Sequence, residues 1–198
     1  MTLETKNAMN RAVFFDKDGV INADKGVNGN LEPLELYSGI SDLIAEFRGR
    51  GFKIFVVTNQ PVVARGLMSE DELAAFMKKF AALVAEANPG AVIDKIYYCP
   101  HHPNANVEKY RTACECRKPK PGMLLRASRE FDIDTAASFM IGDRMSDIIA
   151  GSLAGCTTIH FLSGKHSEKA IETDLKFDRE IKPDHTITDL NELRSIIK

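Results

Sequence analysis

The sequence predicts an α/β fold: a Rossmann-like parallel sheet with helices on both faces. Two observations lead there. Short β-branched or aromatic runs alternate with longer amphipathic stretches, as in chains built from strand–helix–strand units. Three of the runs, VFF at 13–15, IFVV at 54–57 and FMI at 139–141, are almost continuously apolar. Strands covered on both faces read this way, whereas half-exposed strands alternate.

Taken in order, a first strand is expected at 12–16 and a helix at 39–50, ending before Gly51, a residue suited to a helix end. A second strand follows at 53–58. The helix at 69–86 opens on Ser69 with Glu72 three residues later, a reciprocal cap. A third strand is read at 92–98. Pro121 suits the first turn of a helix at 121–131. Strands at 138–141 and 157–161 flank a helix at 145–154. Two stretches, 22–37 and 100–120, fit neither period, and long irregular segments in a compact domain usually carry function or are disordered. Residues 165–183 are polar, with a helix expected around 167–175. The chain is read as a flexible N-terminal extension, 1–10, and a single domain, 11–198, with an inserted loop at 99–117.

Composition narrows the class. With 44% hydrophobic and 27% charged residues and a formal charge of -2, the chain has no global attraction to nucleic acid or acidic membranes. No apolar run approaches the ~20 residues needed to span a bilayer. The opening MTLETKNAMN lacks the apolar stretch of a signal peptide, so a cytoplasmic location is expected. The four cysteines should then be reduced, which favours metal binding over disulfides.

The chemistry gathers at strand ends, where open α/β sheets bind ligands. The first strand runs into Asp16-Lys17-Asp18-Gly19, two carboxylates that can face one pocket, with Gly19 permitting a sharp turn. Taken alone, this segment could also be an Asp-Gly turn with a solvated carboxylate. The second strand runs into Thr58-Asn59-Gln60, and the fourth into Gly142-Asp143-Arg144-Met145-Ser146-Asp147. Asp147 lies one helical turn beyond Asp143 and is equally well explained as a first-turn acid favoured by the helix dipole. Arg117-Lys118-Pro119 supplies a cationic pair between these motifs. Asp16, Asp18 and Asp143 at one point would repel one another unless a hard cation compensates, and Mg²⁺ takes few carboxylates with water and phosphate. Lys118 would neutralise phosphate oxygens and Thr58 would donate a hydrogen bond. Asp16 would then attack phosphorus, and Asp18 would protonate the leaving oxygen and later deprotonate water.

A second constellation is Cys99-Pro100-His101-His102, followed by Cys114-Glu115-Cys116. Three thiolates and an imidazole make a closed tetrahedral Zn²⁺ site, read as Cys99, His101, Cys114 and Cys116, with His102 the alternative imidazole. Such a loop is too polar to fold by apolar burial, so Zn²⁺ would be structural. It would also place the adjoining Arg117 and Lys118. Cys156, in AGCTTI, reads as a small core residue.

DKDG, TNQ, RKPKPG and GDRMSD, in that order, resemble the four motifs of the haloacid dehalogenase superfamily of phosphatases. Each motif is weak alone, but the four cover most of the chain. The resemblance implies a Rossmann-like fold with nucleophile Asp16, acid/base Asp18, and Mg²⁺ on Asp16, the Asp18 carbonyl and Asp143. CPHHP…CECRKPKPGM with VVTNQPVVARG upstream is similar to a branch of that superfamily that removes the C7 phosphate of a heptose 1,7-bisphosphate in making bacterial surface polysaccharides. That branch implies a minimal cap and substrate contacts at Asp24, Lys25, Gly26 and Val27, at Thr58, Asn59, Gln60 and Pro61, and at Arg117 and Lys118. It also carries a basic residue where Arg144 stands, and Arg65 is a candidate for the distal end of the substrate, equally well read as an exposed loop arginine without that role. The branch usually has serine where this chain has Pro61, which lacks both the hydroxyl and a backbone donor. The expected partner is therefore a small sugar bisphosphate, with neither nucleic acid nor membrane, acted on by a monomer. Histidinol-phosphate phosphatases share the catalytic motifs and the C-x-H…C-x-C loop. A phospho-receiver domain also gathers aspartates, a threonine and a lysine around Mg²⁺, but it would retain phosphate rather than release it repeatedly.

Overall fold

The computed structural model describes residues 9–24, 26, 34–162 and 180–198. Lys25 and Val27, residues 1–8 of the expected extension and residues 163–179 of the polar segment lie outside the described residues. The strands are β1 (Arg11–Phe15), β2 (Phe52–Asn59), β3 (Lys95–Cys99), β4 (Phe139–Gly142), β5 (Thr157–Phe161) and β6 (His185–Ile187). The helices are α1 (Ile40–Gly49), α2 (Glu70–Ala87), α3 (Gly122–Phe131), α4 (Met145–Ala154) and α5 (Leu193–Ile196). All the strands join one parallel sheet in the order β3-β2-β1-β4-β5-β6.

Strand alternation assigns the two faces. Val13, Phe15, Ile54 and Val56 pack with Ile40, Leu43 and Phe47 of α1, Phe80 of α2 and Leu193 of α5. The intervening Ala12, Phe14, Phe55 and Val57 pack with Met123 and Leu124 of α3 and Ala150 and Ala154 of α4. Cys156 is buried in this second cluster, as expected. Ser69 caps α2 with the reciprocal Glu72 bond, and α4 and β5 have the bounds read from the sequence.

Three differences have physical reasons. The third strand begins at Lys95, not at 92: Val92 is 46% exposed, and Asp94 turns its carboxylate to the Ile54 amide and to Arg48. β6 was not anticipated because only Ile187 of its three residues is buried. It is pinned by Asp184, whose Oδ2 accepts from the Thr158 amide and hydroxyl, each at 2.8 Å. α5 has four residues, too few for a helical period to register in sequence. Among the described residues, no helix is long and apolar enough to cross a membrane.

The strand order reverses direction at β1, with β2 on one side and β4 on the other. The crevice at the carboxyl ends of such a switch point is where ligands bind in open α/β sheets. Asp16 and Asp143 directly follow β1 and β4 there, and the Asp16 amide donates to the Ile141 carbonyl at 2.9 Å.

Candidate active site

Asp16, Asp143 and Asp147 are all buried, and one carboxylate oxygen of each lies within 4.8 Å of the others. Lys118 reaches them from the loop before α3. Its Nζ is 2.7 Å from Asp16 Oδ1, 2.6 Å from Asp147 Oδ1 and 2.7 Å from the Val57 carbonyl, to which it donates. Its backbone is fixed as well: Asn59 Nδ2 donates to the Lys118 carbonyl and Asn59 Oδ1 accepts from its amide, at 3.0 and 3.1 Å. The Asn59 amide is thus directed at Lys118, and the end of β2 sets where the lysine begins.

Burial pushes the Asp16 carboxyl up to about 6; Lys118 opposes this, and the charges of Asp147 and Asp18 add to it. Burial, with Asp16 and Asp147 adding, pushes Asp143 up to about 8. Burial would lower Lys118, but Asp147 and Asp16 prevail and hold it above its ordinary value. Three carboxylates against one buried ammonium leave excess negative charge in an all-oxygen site, which suits a hard divalent cation. Mg²⁺ therefore fits this donor set.

Asp18 is arranged differently. Its carboxylate stands outside that cluster, with the side chain 29% exposed. Oδ1 accepts from Lys17 Nζ and, at 2.9 Å, from Asn22 Nδ2; Oδ2 accepts from Gln60 Nε2 at 2.8 Å. Gln60 Nε2 also donates to Thr58 Oγ1 at 3.0 Å, so Thr58 and Asp18 are joined through one amide. Gly19, at φ 90, turns the chain after Asp18.

The remaining expected substrate residues fall in two places. At the mouth, Arg144 Nη2 donates to Asp24 Oδ2 at 2.6 Å, and Asp24 Oδ1 accepts from the Gly26 amide at 2.7 Å. Arg144 is 53% exposed. Arg117 Nη1 donates to the His101 carbonyl at 3.1 Å, and Arg117 and Lys118 line a cavity of about 520 Å³ with Arg111 and Lys120. Pro61 begins the turn after β2, where its carbonyl accepts from the Arg65 amide at 2.9 Å, and Arg65 itself is exposed.

Asp147 and Lys17 were not assigned to the site from sequence. Sequence alone leaves Asp147 balanced between site and helix cap, and the structure shows both contacts: Oδ2 accepts from the Arg144 amide at 3.1 Å while Oδ1 meets Lys118. Gly142 could have signalled this. A Cβ there would sit 2.1 Å from Asp147 Cβ, so only glycine lets that side chain fold back over the strand end.

Cys99, the last residue of β3, meets His101, Cys114 and Cys116 with all four ligand atoms within 4.8 Å of one another. Cys99 Sγ lies 3.6 Å from His101 Nδ1, 3.6 Å from Cys114 Sγ and 3.2 Å from Cys116 Sγ, and His101 Nδ1 is 3.3 Å from Cys116 Sγ. A tetrahedron with Zn–S near 2.3 Å and Zn–N near 2.0–2.1 Å has edges of roughly 3.5–3.8 Å, so the donor set and its size fit Zn²⁺. His102 lies outside this group, its Nδ1 accepting from the Asn104 amide at 3.0 Å. The hydrogen bond shared with Cys99, opposed by burial and supported by His101 and Cys114, brings the Cys116 thiol down to about 5. That same bond and burial push Cys99 up, and burial raises Cys114.

A parallel sheet with a strand-end aspartate, a buried lysine and a carboxylate cluster at its switch point fits a haloacid dehalogenase-like hydrolase. A HAD-hydrolase-like family model matches residues 115–193. The D-glycero-beta-D-manno-heptose-1,7-bisphosphate 7-phosphatase of Photorhabdus laumondii is 43% identical over 72% of this chain and 75% of its own. The D-glycero-alpha-D-manno-heptose-1,7-bisphosphate 7-phosphatase of Burkholderia mallei is 43% identical over 75% of this chain and 78% of its own. The crystal structure of D,D-heptose 1,7-bisphosphate phosphatase from B. bronchiseptica, complexed with magnesium and phosphate, superposes with a TM-score of 0.67 at 31% identity, covering 76% of this chain and 80% of that one. The chain belongs to this family of heptose-bisphosphate phosphatases within the HAD-like hydrolases.

Proposed function

We propose that this enzyme removes the C7 phosphate of D-glycero-D-manno-heptose 1,7-bisphosphate through an aspartyl-phosphate on Asp16, leaving the C1 phosphate in place. The observation that carries the reading is Asp16 at the sheet's switch point, paired at 2.7 Å with the buried Lys118, in a family named for this reaction.

Asp16 attacks phosphorus in line, and the bond from phosphorus to the C7 oxygen breaks as Asp18 delivers its proton to that oxygen. Asp18 then takes a proton from water, which attacks the phosphorus of the aspartyl-phosphate and releases inorganic phosphate and free Asp16. Thr58 and Lys118 hold the phosphoryl oxygens. Asp16, Asp143 and the Asp18 carbonyl would hold Mg²⁺, whose chemistry is neutralisation of the phosphate charge. Asp24, Lys25, Gly26, Val27, Gln60, Arg117 and Arg144 bind the sugar and its second phosphate, with Arg65 at the distal end. Zn²⁺ on Cys99, His101, Cys114 and Cys116 is structural. The enzyme works as a cytoplasmic monomer supplying precursors for bacterial surface polysaccharide.

The test is phosphate release from both anomers of heptose 1,7-bisphosphate, other sugar bisphosphates and histidinol phosphate. Multiple turnovers with the highest kcat/KM on a heptose bisphosphate are expected. A higher kcat/KM on histidinol phosphate would overturn the substrate, and a single turnover with retained phosphate would indicate a receiver. Asp16→Asn should abolish turnover while the protein stays folded; substantial activity in it would exclude the phospho-aspartate.

A further inference from the structure

Lys17 stands between the two aspartates of the first motif yet points away from the carboxylate cluster. Its side chain is 1% exposed, and its ammonium lies 5.5 Å from the ring centroids of both Phe76 and Phe80. A charge taken out of water needs a partner and full hydrogen bonding. Its carboxylate partner among the described residues is Asp18, and Nζ also donates to Asn22 Oδ1 at 3.2 Å. Asn22 is 3% exposed and is itself anchored: its amide donates to the Lys17 carbonyl at 3.1 Å, and its carbonyl accepts from the Gly19 amide at 2.7 Å. Its Nδ2 donates to the Ala23 carbonyl as well as to Asp18 Oδ1, both at 2.9 Å.

We infer that Lys17, together with Asn22, is a positioning residue for proton transfer. The pair fixes Oδ1 of Asp18, so that Oδ2, shared among the described residues only with Gln60, faces the leaving oxygen. This rests on the reading of Asp18 as acid/base. Placing the cation behind Asp18, under two aromatic rings, fixes the carboxylate without presenting a second lysine to the phosphate. Lys17 acts through Asp18 and touches no reacting atom. A residue that only supported the loop would affect every substrate alike. One that aims the acid should matter in proportion to how much the leaving group needs a proton.

That difference is measurable. An alkoxide such as the sugar oxygen must be protonated as it leaves, whereas p-nitrophenolate leaves largely unaided. Lys17→Met should lower kcat/KM on the sugar bisphosphate by about 10²-fold, within the range for acid–base catalysis, and on p-nitrophenyl phosphate by only a few-fold. Lys17→Arg should recover most of the loss. Asn22→Leu should show the same split more weakly, and it provides the measurement if Lys17→Met does not fold. Asp18→Asn is the reference and should show the largest split. Equal losses on both substrates in the Lys17 and Asn22 variants, with the split present in Asp18→Asn, would overturn the positioning role alone. No split in Asp18→Asn would overturn the acid/base reading and this inference with it.

Discussion

Lys118 Nζ lies 2.6 Å from Asp147 Oδ1, and both side chains are at most 2% exposed. This contact ties the loop after the cysteine cluster to the first turn of α4. Neither residue can shift without carrying a second part of the site with it: Lys118 also grips Asp16, and Asp147 also caps the Arg144 amide.

Asp147→Asn keeps the shape and removes the charge. Lys118 then retains, among the described residues, Asp16 as its carboxylate partner and the Val57 carbonyl, and its ammonium is drawn toward Asp16. A displacement near 1 Å can cost on the order of 10²-fold in rate, and a fall of about that size in kcat is expected. The loss of Tm in metal-free protein should be smaller than in Lys118→Met, which leaves buried carboxylates without their cation, a change of about 3–5 kcal/mol. Steady-state kinetics and thermal melts of the two variants check both statements. Wild-type kcat in Asp147→Asn would deny the contact a role in the reaction.

The sheet and four longer helices were legible because their signals are local: continuous apolar strands, the Ser69 cap and proline at a helix start. The carboxylate positions followed from those strand ends. What stayed hidden depends on side-chain direction across long separations. Lys118 and Asp16 meet over 102 residues, and Asn59 clamps a backbone 59 positions away. Asp147 was ambiguous because a cap and an ion pair ask for the same residue. β6 was missed because an edge strand with one buried residue carries almost no period.

The carboxylate cluster sets a pH dependence for the metal-free protein. Burial and mutual repulsion lift Asp16 to about 6 and Asp143 to about 8, against about 3.9 in an unfolded chain. The folded state therefore binds protons that the unfolded state releases. The stability this confers is complete below about pH 4 and is lost as pH rises through 6 and then 8. A divalent cation at the cluster removes the repulsion, so Mg²⁺ should raise Tm more at pH 8.5 than at pH 5.5. Melts with EDTA and with Mg²⁺ across that window measure it. A Mg²⁺ effect that shrinks as pH rises would contradict the charge assignment.

Arg144 should act on binding rather than chemistry. It is half exposed and pairs with Asp24 at 2.6 Å, a shorter contact than the 4.0 Å from its Nε to Asp143 Oδ2. Arg144→Ala is expected to raise KM for the bisphosphate about tenfold, as for loss of one charge-assisted contact of about 1.5 kcal/mol. kcat should change little. A fall in kcat at unchanged KM would instead place Arg144 in the chemical step.

The cysteine cluster provides the last prediction. Cys116 immediately precedes Arg117 and Lys118, and the Arg117 guanidinium is bonded to the carbonyl of His101, another member of the cluster. The Gly122 amide donates to the Glu115 carbonyl at 3.1 Å, so the C-x-C turn is also fastened to the start of α3. If Zn²⁺ closes this tetrahedron, its binding energy is folding energy for the loop. Cys116→Ser removes one ligand, and the one whose thiol is brought down to about 5 and is thus the readiest thiolate. Zinc content should fall from about one per chain to near zero. Activity should fall about 10²-fold because Lys118 loses its fixed starting point, even though Asp16, Asp18, Asp143 and Asp147 are untouched. Cys156→Ser is the control: Cys156 lies in the core beside α3 and α4, its thiol pushed up to about 12 by burial, and this variant should keep its zinc and its rate. Metal analysis of protein purified without chelators, paired with kinetics of both variants, decides the matter. A wild-type chain that contains no zinc and is fully active would remove the structural role from these four residues.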